Sequence, residues 1–509
     1  MSESTVQDSE HKEVDVSEFF RRGLPARPCS SFDSDERDTS SDQDVNSTSR
    51  PVSLLYGEKL SEKEARTLRH ILETNPSVKQ LTLWYASMNI LELIFGDMEK
   101  PLALEELGLL YVDCDGHDFC LSLSEVFSNL RALDVRCRNQ APCIVTGDGG
   151  GLVRSIADFL LHSRTLQELA LWSDNLGDAG AQVLADALTT NDTLKKLEIL
   201  DGTQLTSKAV LTFANALVVN SALELVDLSE VDMQEEEVLL LCGEDRYADT
   251  FKRVYTVWKQ QFLPQLTKLV RENRHFPDVS VEVTSSVRAD LLEDFFNAVA
   301  ENNTVRMLHF YPSGKTFDAL ADGIADVLRR TSTITNIRNL MRVEDDYEAL
   351  IKVLSALKDN RSVTDFTMVA DVLTPEICRS LSELLASNKT LTSVNICECA
   401  EIAAEHVHAI LQGLRENYTL TDLTVVWDPD DDTEEASEIE ELLKRNRGLL
   451  DRAAHFVKRG GDVSDVEGVE ALKIVHQSPG LVETLEKLTG KATAEVRDNI
   501  KATFTRVSC

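Results

Sequence analysis

Residues 166–200 read LQELALWSDNLGDAGAQVLADALTTNDTLKKLEIL, and the period of the apolar positions changes part-way through. Leu166, Leu169 and Leu171 fit a short alternating strand. Leu176, Val183, Leu184, Ala187 and Leu188 then recur at three-and-four spacing, as on one face of a helix. The sequence therefore predicts strand, loop and helix in succession, after which LKKLEI opens another strand.

The junction between helix and strand recurs along the chain. It reads LTTNDTLKKLEI from Leu188, VAENNTVRMLHF from Val299, LKDNRSVTDFTM from Leu357, LASNKTLTSVNI from Leu385 and LRENYTLTDLTV from Leu414, approximating LxxNxTLxxLxL. The asparagines are 191, 302, 360, 388 and 417, with weaker copies at Asn220, Asn273, Thr331 and Asn446. From 273 onward the steps are 29, 29, 29, 28, 29 and 29, a period too constant for chance. One unit cannot bury its own strand and helix, so units stack, with strands paired in parallel and helices on the outside. Helices are wider than strands, so the array bends with its sheet on the concave side. Strands are expected to start at 78, 104, 130, 166, 194, 223, 276, 305, 334, 363, 391 and 420.

The step from Leu223 to Phe276 is twice the usual one, and 231–268 reads as longer helical structure without the usual strand. Residues 1–50, rich in Ser, Asp, Glu and Thr, are too poor in apolar residues to fold and are expected to be a disordered tail. Phe19 and Phe20 followed by Arg21 and Arg22 stand out there as a short docking element or a chance cluster. The repeats should fill 52–433. Residues 434–509 should be helical, around 436–446, 449–458, 466–476, 480–488 and 492–505, as a cap or a small domain.

The strand LxxLxL, the asparagine and LGDAGAQVLADAL together resemble the leucine-rich repeats of ribonuclease inhibitor and of NOD-like receptors. The resemblance is specific over 166–230 and 299–425 and looser elsewhere between 52 and 446. It implies an α/β leucine-rich-repeat solenoid, a horseshoe with a parallel concave sheet and convex helices, here followed by a C-terminal helical segment. The chain departs from NOD-like receptors in showing no nucleotide-binding module and no death-fold pattern. YPSGKT at 311–316 ends like a phosphate loop, but His309 stands where the loop's first glycine is needed, so the fragment reads as the turn after a strand.

Against 87 Asp and Glu the chain has 52 Lys and Arg, a formal charge of −35, which disfavours bare nucleic acid and anionic membranes and favours a partner with a basic face. There is no signal-peptide-like apolar run and no stretch that could span a bilayer, and the ten cysteines form no CxxC pair, so a soluble protein of cytosol or nucleus is expected. NxS/T sequons coincide with the repeat asparagines, where a left-handed or side-chain-capped backbone explains them better than glycosylation. Cys397 and Cys399 lie near His406 and His408, but residues two apart on a helix point away from each other, so no metal site is expected. Neither a cofactor nor a catalytic pairing is indicated.

Side chains that face outward from a concave sheet are where such a horseshoe meets its ligand. The large candidates there are Trp84, Tyr85, Tyr111, Arg136, Trp172, Tyr311 and Trp427, since aromatics and arginine dominate interface energetics. The reading is a non-enzymatic scaffold or adaptor for a protein partner, with no nucleic acid and no membrane. The alternative is a GTPase activator of the nuclear-transport type, in which Arg136 or Arg138 on the rim stabilises a transferring phosphoryl group.

Overall fold

The computed structural model of the chain describes residues 52–57, 59–98, 100–113, 126–138, 150–173, 176–200, 205–313, 318–339, 347–369, 373–397, 404–425 and 434–508. It divides at Val231/Asp232 into two compact units. The first runs β1 Val52–Tyr56, α1 Glu62–Thr74, β2 Val78–Trp84, α2 Met88–Phe95, β3 Glu106–Asp113, β4 Ala132–Arg138, α3 Gly150–His162, β5 Glu168–Ser173, α4 Asp178–Leu188, β6 Lys196–Leu200, α5 Ser207–Val219 and β7 Leu225–Asp227. Strands β1 to β7 pair in sequence order, each parallel to the next.

The second unit begins with α6 Glu235–Gly243, β8 Val254–Tyr255, β9 Val257–Lys259 and α7 Leu263–Arg271. The repeats follow as β10 Asp278–Thr284, α8 Ala289–Glu301, β11 Met307–Ser313, α9 Asp318–Arg330, β12 Asn336–Asn339, α10 Tyr347–Asp359, β13 Asp365–Val369, α11 Pro375–Ser387, β14 Ser393–Cys397, α12 Ala404–Arg415 and β15 Asp422–Val425. Strands β9 to β15 are again parallel and in order. Both units are thus parallel-sheet repeat arrays of the α/β class. In each strand the alternate positions that meet the helices are buried, as Leu81, Leu83, Leu308 and Phe310 show.

The repeat asparagine explains why the period is held so closely. Asn388 is fully buried; its Oδ1 accepts from the amides of Thr390 at 2.8 Å and Leu391 at 2.9 Å, and its Nδ2 donates to Leu357 O at 2.9 Å in the preceding repeat. Asn191, Asn220, Asn302, Asn360 and Asn417 repeat this arrangement. One side chain therefore caps the turn into its own strand and ties it to the previous helix end. The backbone at Asn220, Asn302 and Asn388 is extended, so the capped alternative holds there and only Asn273, at φ 53°, is left-handed. The sequon amides at 191, 302, 360, 388 and 417 are all donating inward, which leaves them committed to the fold rather than to a glycan.

Thr331 fills the slot with a weaker cap, its Oγ1 accepting from Thr333 and Ile334 at 3.3 Å each. Asn302, Asn360 and Asn417 each donate to a carbonyl 32 residues upstream. The matching carbonyl for position 331 is that of Val299. Thr331→Asn is expected to raise stability by about 1 kcal/mol, the worth of one added hydrogen bond, as read by chemical denaturation. An unchanged or lowered midpoint would count against the ladder.

Three expectations need correction. The strand expected first, at Val78, is the second among the described residues, because β1 precedes it and pairs with it. Segment 231–268 is not helical throughout: VYTVWK forms β8 and β9, and β9 pairs Val257 with Ser280 and Trp258 with Val281 of β10. Its β-branched and aromatic alternation was the available signal. In the C-terminal region one helix, α13 Glu434–Lys458, replaces two expected ones. Gly448, in the gap between the two expected helices, lies in that helix with nothing near its missing Cβ. After it come α14 Val466–Val475, α15 Pro479–Thr489 and α16 Thr493–Ser508. These pack on the end of α13 around Ala453, Phe456, Leu472, Leu481, Val496 and Ile500, a core composed of C-terminal residues alone.

Candidate interaction surface

The side of each sheet away from the helices carries every second residue of its strands, and the parallel register lines these up in rows. In the first unit one row runs Gln80, Glu106, Ala132, Glu168, Lys196, Leu225, and the next Thr82, Gly108, Asp134, Ala170, Glu198, Asp227. Further along, Trp84 pairs with Leu110, and Arg136 with Trp172 and Trp172 with Leu200.

A bulge shapes this third row. Leu109 pairs with Val135 and Val112 with Cys137, so Leu110 and Tyr111 together oppose Arg136. Tyr111 has φ 56°, and so does Tyr85, which occupies the same place one repeat earlier and donates its amide to Leu110 O at 2.9 Å. A left-handed backbone at a residue with a Cβ costs about 1–2 kcal/mol, and bulky residues are seldom found there. The rings partly offset that cost by stacking: Tyr85 and Tyr111 lie 5.5 Å apart at 17°, and Trp84 sits 5.5 Å from Tyr111 and 6.2 Å from Tyr85. Three of the aromatic candidates are thus one cluster, and 40% of Tyr85 remains exposed.

Arg136 lies beside the cluster, but its guanidinium is engaged. Nε meets Asp134 Oδ1 at 3.3 Å and Nη2 meets Oδ2 at 3.0 Å, with both side chains largely buried. Burial holds the Asp134 carboxyl above the usual carboxylate range even so, with Arg136 opposing and Glu198 adding to the rise. Asp227 is likewise raised by burial, against the hydrogen bonds it accepts from Ser229.

In the second unit the rows are Asp278, Met307, Asn336, Asp365, Ser393, Asp422 and Ser280, His309, Arg338, Thr367, Asn395, Thr424. Tyr311 packs on His309 with centroids 3.9 Å apart and the rings tilted by 39°. Burial and the nearby Arg338 charge lower His309 to about 4, so it is neutral at pH 7, and among the described residues its Nε2 and the Asn336 Oδ1 have no hydrogen-bond partner. Asp278 and Asp365 are raised, both chiefly by burial.

A carboxyl whose folded pKa is raised stabilises the fold while protonated, and that contribution is lost as pH rises through the folded pKa. At neutral pH the Asp278 charge therefore opposes folding. Asp278→Asn is expected to raise the melting midpoint of the protein alone at pH 7 and to lose that advantage below about pH 4, where aspartate is protonated in either state. A lowered midpoint at pH 7 would show that the carboxylate is already compensated.

The remaining candidates divide plainly. Trp172 is placed by its backbone, while its side chain and the whole of Trp427 lie outside the described residues, as do the Arg138 and Cys397 side chains, Cys399, the His406 side chain and 314–316 of the phosphate-loop fragment. Tyr311 stands in β11 rather than in a turn. His408 is exposed, and among the described residues no group of three or more His, Cys, Asp or Glu could hold a metal ion. Sequence reasoning sought large side chains and missed the rows of half-buried acids, although their one-residue offset from the buried apolar positions was the signal.

No family model matches the chain. Tropomodulin-4 of Bos taurus is 30% identical over 127 residues, covering 24% of this chain and 36% of its own. Ribonuclease inhibitor of Mus musculus is 31% identical over 173 residues, 33% of this chain and 36% of its own. NACHT, LRR and PYD domains-containing protein 13 of Homo sapiens is 35% identical over 89 residues, 18% of this chain and 8% of its own. The chain thus spans well under half the length of each of these relatives. Among the described residues no helix is long and apolar enough to cross a membrane.

Proposed function

Because the chain is a leucine-rich-repeat protein of the ribonuclease-inhibitor-like class, we propose that it is a scaffold that binds a protein partner on the open faces of its sheets and performs no catalysis of its own. The observation that carries this reading is the set of partly buried carboxylates at Asp227, Asp278 and Asp365, all raised by burial. Carboxylates in that state gain from a cation brought by a partner, whose donors restore what burial removed. A partner with a basic surface meets that need, and the formal charge of −35 steers it inward from a distance. Ribonuclease inhibitor is by its name an inhibitor of ribonuclease, and such inhibition needs a binding surface rather than catalytic groups. The phosphoryl-transfer alternative gains no support from Arg136, whose guanidinium is held on Asp134.

The test is to isolate a partner on the immobilised chain and measure its affinity between low and high salt. Charge-led recognition predicts a fall of about tenfold or more as screening shortens the reach of the field. Affinity indifferent to salt would contradict a basic partner.

A further inference from the structure

The basic and aromatic island in the N-terminal segment complements the aromatic and acidic surface of the first unit. Residues 19–27, FFRRGLPAR, carry three arginines and no acid, whereas twelve Asp and Glu flank them within 1–51. Among the described side chains of the first unit, the open rows present Glu106, Asp134, Glu168, Glu198 and Asp227 against Arg136 and Lys196. Beside them stands the stack of Trp84, Tyr85 and Tyr111, with its outer ring 40% exposed and two of its residues in a left-handed backbone. Strained aromatics on a bulge are what a binding site retains and a mere surface loses.

We infer that the segment Phe19–Arg22 of the chain docks on this surface, its phenylalanines against the Trp84–Tyr85–Tyr111 stack and its arginines toward the acidic rows. The inference rests on the open-face reading, and it makes the chain's own segment a competitor for the partner. Arginine suits both halves of the surface, since its guanidinium stacks on aromatic faces and pairs with carboxylates.

The reach is adequate. Residues 23–51 lie between Arg22 and Val52, where β1 begins next to β2 and its Trp84. Twenty-nine residues without fixed structure would have a root-mean-square span of about 30 Å. Two strand spacings and the length of β1 ask for roughly 20 Å. A linker matched to its span gives a local concentration on the order of millimolar, enough to occupy a surface of modest affinity.

Fluorine NMR on the full chain labelled with 5-fluorotryptophan tests this, with the Trp84 signal assigned by Trp84→Phe. The changes Phe19→Ala, Phe20→Ala, Arg21→Ala and Arg22→Ala are made together in the segment. They are expected to shift the Trp84 signal and leave that of Trp258, buried in the other unit, in place. A synthetic peptide of residues 14–28 should then return Trp84 to its original position. The unaltered chain should need at least about tenfold more peptide for binding, because the tethered copy competes. Identical Trp84 signals in the two proteins would overturn the inference. If the peptide still moved Trp84 in that case, the surface would belong to a separate partner of the same chemistry, and the proposed function would stand without the tether.

Discussion

Replacing Asn388 by alanine is expected to destabilise the second unit by about 3–4 kcal/mol. The change removes the acceptor for the Thr390 and Leu391 amides and the donor to Leu357 O and Asn360 O, at 2.8–3.2 Å, from a position with no exposed surface. Water cannot take over these groups, and each buried amide or carbonyl left unmet costs about 1–3 kcal/mol. The loss should appear as a lower denaturation midpoint and as faster hydrogen exchange at Thr390 and Leu391. Asn388→Asp keeps the acceptor and loses the donor, so it should also destabilise, with exchange at those two amides less affected. A cost below about 1 kcal/mol for the alanine change would mean that the ladder decorates the array and does not hold it.

The second large effect comes from a glycine. A Cβ on Gly413, in α12, would lie 2.3 Å from Ser382 O and 2.7 Å from Ser382 Cα on α11. Both contacts are with backbone, which cannot rotate aside, so Gly413→Ala must push neighbouring repeat helices apart. Overpacking of this kind costs about 1–3 kcal/mol, and here the upper end is expected. Gly448→Ala makes the opposite case: a Cβ there meets nothing within 4 Å, inside α13. It should stabilise by about 0.5–1 kcal/mol, because alanine loses less freedom on entering a helix. Paired thermal melts of the two variants should therefore move in opposite directions. Two shifts of the same sign would show that the spacing of α11 and α12 is not set at Gly413.

The repeat architecture was legible because its two signals are local: alternation over LxxLxL and an asparagine that must cap the turn before it. The same locality explains what was missed. The strand β1 follows STSRP, which lacks the apolar residue of the repeat junction, and β9 lies in VYTVWK after a stretch rich in glutamate that reads as helix. The long α13 could not be foreseen at Asn446, whose side chain keeps the appearance of the repeat slot while donating to Leu420 O at 2.7 Å from within a helix. For the surface, the aromatic residues of 84, 85 and 111 could be named from strand position. Their mutual stacking could not, because it depends on a bulge and on two left-handed residues that ordinary strand geometry excludes. The acids at 227, 278 and 365 were hidden among the chain's 87 Asp and Glu, and only register and burial set them apart.

The most direct measurement compares two charge-matched triple variants in binding to a partner isolated with the intact chain. One carries Asp227→Asn, Asp278→Asn and Asp365→Asn on the open faces; the other carries Glu236→Gln, Glu293→Gln and Glu348→Gln on exposed helix positions. Both lose the same net charge, so any difference between them belongs to the surface and not to long-range steering. The account predicts that the open-face variant melts no lower than the unaltered protein yet binds at least about tenfold more weakly, about 1.4 kcal/mol, while the helix variant binds nearly as the original does. Equal binding by the two variants, or loss confined to the helix variant, would contradict recognition on the open faces.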